Sequence, residues 1–292
     1  MVSLSRTSMK AWKVGLAAGA ALMAGVAVVY AQMPFRVYVP LEGYDDIPLP
    51  VDYKEPAEWV FGRLMYPPHP DSMFTRRYFR GGPPDWTRGG TSWTQDYPRA
   101  DRHFASALRR LTRINARSVE QPVNLDDGDD VFNWPWLCAG EMGDWLLNDT
   151  QARKLREYLN RGGFLVLDDF WGPAEWDRFE QSMRLVFPDR QISEEIPNDD
   201  AIFHTVYDIS ERYQILGQWS LRGGGGLGYR AVGTTAHWYG IRDDQGRVVV
   251  AISFNSDVGD SWEWADDPYY PEKFSALGIR LAVNYTIYSL TH

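Results

Sequence analysis

Short apolar runs alternate with longer segments of helical periodicity along residues 57–292. Residues 164–167 (FLVL) are apolar without interruption, which is typical of a parallel strand covered on both faces. Ala100, Phe104 and Leu108 recur at the spacing of one helix face. This alternation predicts an α/β domain, a mostly parallel sheet with helices on both faces.

The same pattern places the individual elements. Strands are predicted at 58–66, 118–125, 134–140 and 164–167, and a β-hairpin at 233–241 and 247–254. Helices are expected to begin at Asp96 ahead of Pro98, at a cap formed by Asp149 or Thr150, at Gly172 with Pro173, and at Pro271, the last one running to about Tyr288.

Two segments precede this domain. Residues 32–56 are proline-rich and aperiodic, which predicts an extended arm or a linker. In residues 1–31, basic side chains precede an apolar run from Val14 to Ala31, a pattern typical of a signal peptide or an N-terminal anchor. The protein is therefore expected to be exported to the periplasmic or extracellular side, with membrane contact only through an uncleaved N-terminal segment.

Composition narrows the classes of function. The formal net charge of -9 argues against nucleic acid as a partner, since binding phosphates needs a concentrated positive surface. The single cysteine, Cys138, excludes an internal disulfide and lies among apolar residues, which indicates a buried thiol.

Acidic side chains follow two of the predicted strands. Asp168 and Asp169 follow 164–167, and Glu141 and Asp144 follow 134–140. Carboxyl ends of parallel strands meet at one edge of the sheet, where ligands bind. Asp168 or Asp169 with Glu141 is thus a candidate acid-base pair. The alternative is that one of the two aspartates caps the helix that begins at Pro173.

Further candidates are scattered along the chain. His204 and His237 are candidates for acid-base work, although a lone histidine beside aromatic side chains usually has a structural role. No two histidines stand at a zinc-binding spacing. Tryptophans beside carboxylates could hold a sugar, although large aromatic side chains also fill cores. The candidate binding residues are Asp144, Trp171, His237, Asn255, Asp257 and Trp262. No cofactor is predicted, but Asp257 and Asp260 leave calcium or magnesium as an alternative.

Four segments carry a resemblance to a known family. They are 61-FGRLMY-66, 96-DYPRAD-101, the unit of residues 134–172 that ends in GGFLVLDDFWG, and 254-FNSDVGDSWEW-264. In these the chain resembles the bacterial domain-of-unknown-function family 4159, whose members share a fold like that of class I glutamine amidotransferases and ThuA-like proteins. Such amidotransferases carry a cysteine on the turn after a central strand, where this chain has Asp168 and Asp169. The resemblance thus implies an amidotransferase-like domain without that nucleophile.

These observations favour a binding role over an enzymatic one. The expected function is that of an exported cell-envelope binding or assembly protein, whose partners are envelope proteins or a glycan. The alternative is a hydrolase that acts on a glycan or another polar substrate through the carboxylates at the sheet edge.

Overall fold

Seven strands join into one sheet in the computed structural model, which describes residues 32–43, 47–71, 85–222 and 233–292. They are β1 (Gly62–Met65), β2 (Gln121–Asn124), β3 (Trp136–Ala139), β4 (Phe164–Leu167), β5 (Glu194–Glu195), β6 (His237–Arg242) and β7 (Val248–Phe254). The spatial order is β2-β1-β3-β4-β7-β6-β5. β1 to β4 and β7 run parallel, whereas β6 is antiparallel to both of its neighbours. The predicted α/β class, a mostly parallel sheet with an added hairpin, is confirmed.

Six α-helices accompany the sheet in the described residues. They are α1 (Arg99–Leu111), α2 (Asp149–Asn160), α3 (Gly172–Val186), α4 (Gln218–Arg222), α5 (Val258–Glu263) and α6 (Glu272–Thr291). None of these helices has the length and apolar character that crossing a membrane requires. The predicted signal or anchor at 1–31 lies outside the described residues.

The sheet is covered on both faces because its strands are apolar on both. In β3, Leu137 belongs to the core cluster that includes side chains of α2 and α3. Trp136 and Cys138 belong to the opposite cluster, which includes side chains of α1 and α6. β4 divides in the same way, which explains why its four residues show no polar alternation.

The strand order locates a crevice at one edge of the sheet. The run β2-β1-β3-β4-β7 has the flavodoxin-like order, in which the direction of winding reverses between β1 and β3. Ligands bind outside the carboxyl ends of the strands at such a reversal. Tyr66 follows β1 at this point, and Gly140 and Glu141 follow β3.

The proline-rich segment runs along the domain over its described residues from Arg36 onward. Val39 forms a parallel bridge with Gly89, and the Leu41 amide donates a 3.2 Å hydrogen bond to the Thr94 carbonyl. Farther along, Asp52 pairs with Arg109 on α1 at 2.8 Å. This path brings Glu42 to the carboxyl edge of the sheet.

Two local predictions are wrong. The cap of α2 is Asn148, whose side chain accepts hydrogen bonds from the Thr150 and Gln151 amides, so neither Asp149 nor Thr150 fills that position. α1 begins at Arg99 without a side-chain cap, and Asp96 is turned toward other carboxylates. The acidic stretch after β7 forms α5, which Asp257 caps by accepting a hydrogen bond from the Asp260 amide.

Candidate functional site

Acidic and amide residues in an unusual backbone conformation surround the carboxyl edge of the sheet. Asp96, Glu141, Asp169 and Asn255 have φ angles of 61°, 52°, 51° and 56°. The last three lie just beyond β3, β4 and β7, respectively. A non-glycine residue in the left-handed region costs on the order of 1 kcal/mol, and such residues cluster at functional sites.

The two aspartates after β4 have different partners. Asp168 accepts a 2.6 Å hydrogen bond from the Gly259 amide, so it caps α5 and not the helix that contains Pro173. Asp169 accepts a 2.8 Å hydrogen bond from the Trp171 indole. The first amide of α3, that of Gly172, is instead satisfied by the Asn255 side chain at 2.8 Å. The prediction that one of the two aspartates caps the helix containing Pro173 is thus wrong.

Burial gives Asp168 an acidity suited to proton transfer. Burial, and then the charge of Asp169, raise its pKa to about 7, while the hydrogen bond from Gly259 works in the opposite direction. An acid with a pKa near neutrality exchanges protons efficiently at physiological pH.

Tyr66 joins Glu141 and Asp144 at the reversal of the sheet. Its hydroxyl donates a 2.7 Å hydrogen bond to the Gly140 carbonyl, and Asp144 accepts one of 2.6 Å from Ser92. Burial raises the pKa of Tyr66 well above its usual value, and the charges of Asp144 and Glu141 raise it further. Tyr66 was not among the predicted residues, although it directly follows the first strand as the acidic residues follow later ones.

A second acidic group lies beside the first and is named here the Asp96 cluster, formed by Glu42, Asp96 and Glu263. Carboxylate oxygens of these three residues lie within 4.8 Å of one another. Asp96 belongs also to another group of the same dimensions, with Asp257 and Asp260. Asp96 and Glu263 are buried, and Glu42 is half-buried.

Burial dominates the electrostatics of this region, and repulsion between the carboxylates adds to its effect. Burial raises the pKa of Asp96 well above its usual range, and the charges of Asp260 and Glu42 add to the effect. Arg63 on β1 opposes this shift, but its guanidinium is also hydrogen-bonded to the buried Asp101 at 3.2 Å. The pKa of Glu263 is raised by burial and by Glu42.

A comparison with known protein families identifies the chain. The family model described as Domain of unknown function (DUF4159) matches residues 86–290. The chain belongs to the DUF4159 family. No curated protein matches it. The DUF4159 match includes Asp96, Glu141, Asp168 and Glu263, whereas β1 and the segment that carries Glu42 precede it.

The two predicted histidines each contact an acidic side chain outside the carboxylate groups of this DUF4159 protein. His204 contacts Asp208 at 2.6 Å and the Asn198 carbonyl at 2.7 Å, and the adjacent Thr205 bonds to Asn284 on α6. The structure does not bring His204 to the carboxylates. His237 pairs with Phe254 at the carboxyl end of β7, and its ring contacts Glu195 at 2.6 Å.

Trp171, Trp262 and Asn255, also predicted to bind a ligand, have structural roles in the DUF4159 domain. Trp171 and Trp262 are 2% and 1% exposed, so neither offers a ring face to a sugar at the surface. Trp262 stacks on Phe104 of α1 with ring centroids 5.1 Å apart. Asn255 uses its side chain on the backbone of Gly172 and Thr235. The alternative interpretation, that large aromatic side chains fill the core, holds for both tryptophans.

Proposed function

We propose that this protein is an exported cell-envelope component that binds a partner protein at the carboxyl edge of an amidotransferase-like sheet. The observation that carries the proposal is the set of left-handed residues, Asp96, Glu141, Asp169 and Asn255, around that edge. Strained backbone of this kind persists where a site needs fixed side-chain directions. The edge also contains the reversal between β1 and β3, the usual ligand position in such sheets.

The state of the cysteine supports a role without thiol chemistry. Cys138 lies within β3 and is 2% exposed. Burial raises the pKa of its thiol well above the usual value, which disfavours the thiolate that a nucleophile needs. The amidotransferase-like resemblance is therefore interpreted as one of fold alone.

Charge and apolar surface support a basic protein as the partner. The chain carries a formal net charge of -9, and a partner with exposed lysine or arginine would complement it. The segment from Arg36 to Pro56 adds apolar side chains at the surface, since Val37, Val39 and Val51 are each more than half exposed. The basic and apolar start of the chain at 1–31 supports export as the route to this partner.

Affinity capture of the full chain from native envelopes tests the proposal. The variant Asp169→Asn keeps an oxygen for the Trp171 indole and tolerates the left-handed backbone, so it should fold while it removes one charge from the edge. Glu157→Gln on the exposed face of α2 removes one charge elsewhere and is the matched control.

We expect the unaltered chain and Glu157→Gln to recover the same partner from the envelope fraction. Asp169→Asn should recover much less of it. Raised salt should release it, because salt screens the attraction between this acidic chain and a basic partner. Retention of the chain in the cytosol, or equal capture by all three forms, would contradict the proposal.

A hydrolase remains the second candidate because the pKa of Asp168 is raised to about 7. In that function Asp168 acts as the general acid toward a glycan or another polar substrate, and Glu141 is its partner. Turnover of a glycan by the purified chain, abolished in Asp168→Asn, would favour this candidate. Absence of turnover together with partner capture would favour binding.

A further inference from the structure

We propose that Glu42, Asp96 and Glu263 bind a hard divalent cation, calcium or magnesium. This inference goes beyond the binding of an envelope partner and does not depend on it. The sequence indicated Asp257 and Asp260 as candidate ligands of such an ion. In the structure Asp96 belongs to both groups of neighbouring carboxylates, so the proposed site lies around Asp96.

The dimensions of the Asp96 cluster suit one ion. Calcium and magnesium hold oxygen ligands at about 2.0–2.6 Å, so two ligands of one ion stand at most about 5 Å apart. The carboxylate oxygens of Glu42, Asp96 and Glu263 all lie within 4.8 Å of one another. An ion at the centre therefore lies at most about 2.8 Å from each oxygen, and small side-chain movements bring all three to ligand distance.

An independent observation singles out Glu263 as the residue that needs a ligand. Its side chain is 0% exposed, and neither carboxylate oxygen has a hydrogen-bond partner among the described residues. A buried carboxylate without compensation costs several kcal/mol, because it has lost water and gained nothing in return. An oxygen of Glu263 belongs to the cluster in which Asp96 and Glu42 each present one, so a divalent cation would offset two of the three negative charges.

The ligand set determines the class of ion. The cluster offers oxygen atoms only, with no thiol or imidazole, and such sets select calcium or magnesium over zinc or copper. Asp257 and Asp260 add negative charge through the group that they share with Asp96. Gly259 leaves the room that this arrangement requires, since a side chain there would meet the Asp96 carboxylate.

The competing explanation is a proton shared between Glu42 and Glu263. A shared proton would also quench the repulsion of the two carboxylates, but it would not respond to added cations. Cation titration of the full chain therefore separates the two explanations.

The experiment compares melting temperatures and heats of binding after removal of metal with a chelator. CaCl₂ and MgCl₂ are then added in separate titrations to the unaltered chain, to Glu263→Gln, to Glu42→Gln and to the control Glu157→Gln. Glutamine keeps the size of glutamate while it removes the charge. Glu42 is half-buried, so its variant should fold even if the buried Glu263→Gln does not.

We expect the unaltered chain and Glu157→Gln to bind one of the two ions and to melt at least ~5 °C higher at an ion concentration about 100 times the dissociation constant. Glu263→Gln and Glu42→Gln should each bind at least tenfold more weakly. Without metal, Glu263→Gln should melt no lower than the unaltered chain, because the amide relieves repulsion from Glu42. Failure of the unaltered chain to bind either ion, or undiminished binding by Glu42→Gln, would overturn the inference and would leave the test by partner capture unaffected.

Discussion

At the scale of the residue, burial decides what each carboxylate at the carboxyl edge can do. Asp168 and Asp257 each accept a hydrogen bond from a backbone amide of α5, and these bonds attach this short helix to the strand ends. Glu263, on the same helix, makes no such bond within the described structure. Residues of the same chemical type therefore divide into those that hold the fold and those that are available to a ligand.

Gly259 offers a test of this division, because it is a helical glycine in contact with a carboxylate. In most helices a change from glycine to alanine stabilises by about 1 kcal/mol. Here the added methyl group would overlap the Asp96 side chain. We expect Gly259→Ala to lower the free energy of unfolding by roughly 1–3 kcal/mol, as overpacked sites do, measured by urea denaturation.

Gly43→Ala is the control for that substitution. Within the described part of the chain, a Cβ atom at Gly43 meets no other atom within 4 Å. The free energy of unfolding should therefore change by less than ~0.5 kcal/mol, as is usual for surface substitutions. A stabilising effect of Gly259→Ala would show that the Asp96 side chain does not occupy the position described.

The raised pKa of Asp168 predicts a dependence of stability on pH. Its pKa is about 7 in the folded chain against an ordinary value of 3.8, so the folded state binds the extra proton between these values. The contribution of this group to stability is thus full below about pH 4 and is lost as the pH rises through 7.

In Asp168→Asn that contribution does not change with pH. We expect the free energy of unfolding of the unaltered chain, relative to the variant, to fall between pH 4 and pH 7, measured by denaturant titration at several pH values without metal. A constant difference across this range would contradict the assigned pKa shift.

At the scale of the element, the cap of α2 gives a direct comparison of two adjacent residues. Asn148 accepts hydrogen bonds of 2.9 Å and 3.0 Å from the Thr150 and Gln151 amides, a role that the sequence pattern assigned to its neighbours. We expect Asn148→Ala to cost about 1 kcal/mol, as lost caps do, and Asp149→Ala to cost clearly less. Thermal unfolding of both variants checks the order, and an equal cost would restore Asp149 as a cap.

Elements with a strong apolar period were predictable, and those fixed by tertiary contacts were not. Apolar residues repeat regularly in β4 and in α1, where Phe104 and Leu108 lie on one helix face. Their spacing alone therefore predicts both elements. α5 is short and acidic, and it exists because Asp168 and Asp257 satisfy its first amides. The hydrogen bond from the Gly259 amide to Asp168 joins residues 91 positions apart in the sequence, so no local pattern predicts it.

At the scale of the whole molecule, the site is assembled from segments that are distant in sequence. Parallel pairing alone was enough to predict that Glu141 and Asp168 share an edge, since both follow strands. The Asp96 cluster was not predictable in this way. Glu42 comes from the proline-rich segment, Asp96 from the connection before α1, and Glu263 from the end of α5, and no periodicity links the three.

The depth of Cys138 predicts how the intact fold responds to a thiol reagent. The thiol is buried in β3 with a raised pKa, so reaction needs the sheet to open. We expect iodoacetamide to leave the native chain unlabelled over hours and to label it fully in denaturant, as followed by mass spectrometry. Rapid labelling of the native chain would show an accessible thiolate and would reopen thiol chemistry.

Glu42 also makes the Asp96 cluster a cross-link between two parts of the chain. Backbone hydrogen bonds of Val39 and Leu41 already hold the proline-rich segment on the domain just ahead of Glu42. A cation bound by Glu42 and Glu263 would add a link from this segment to α5, as a disulfide links two segments. Removal of the ion would then loosen the segment without releasing it from the domain.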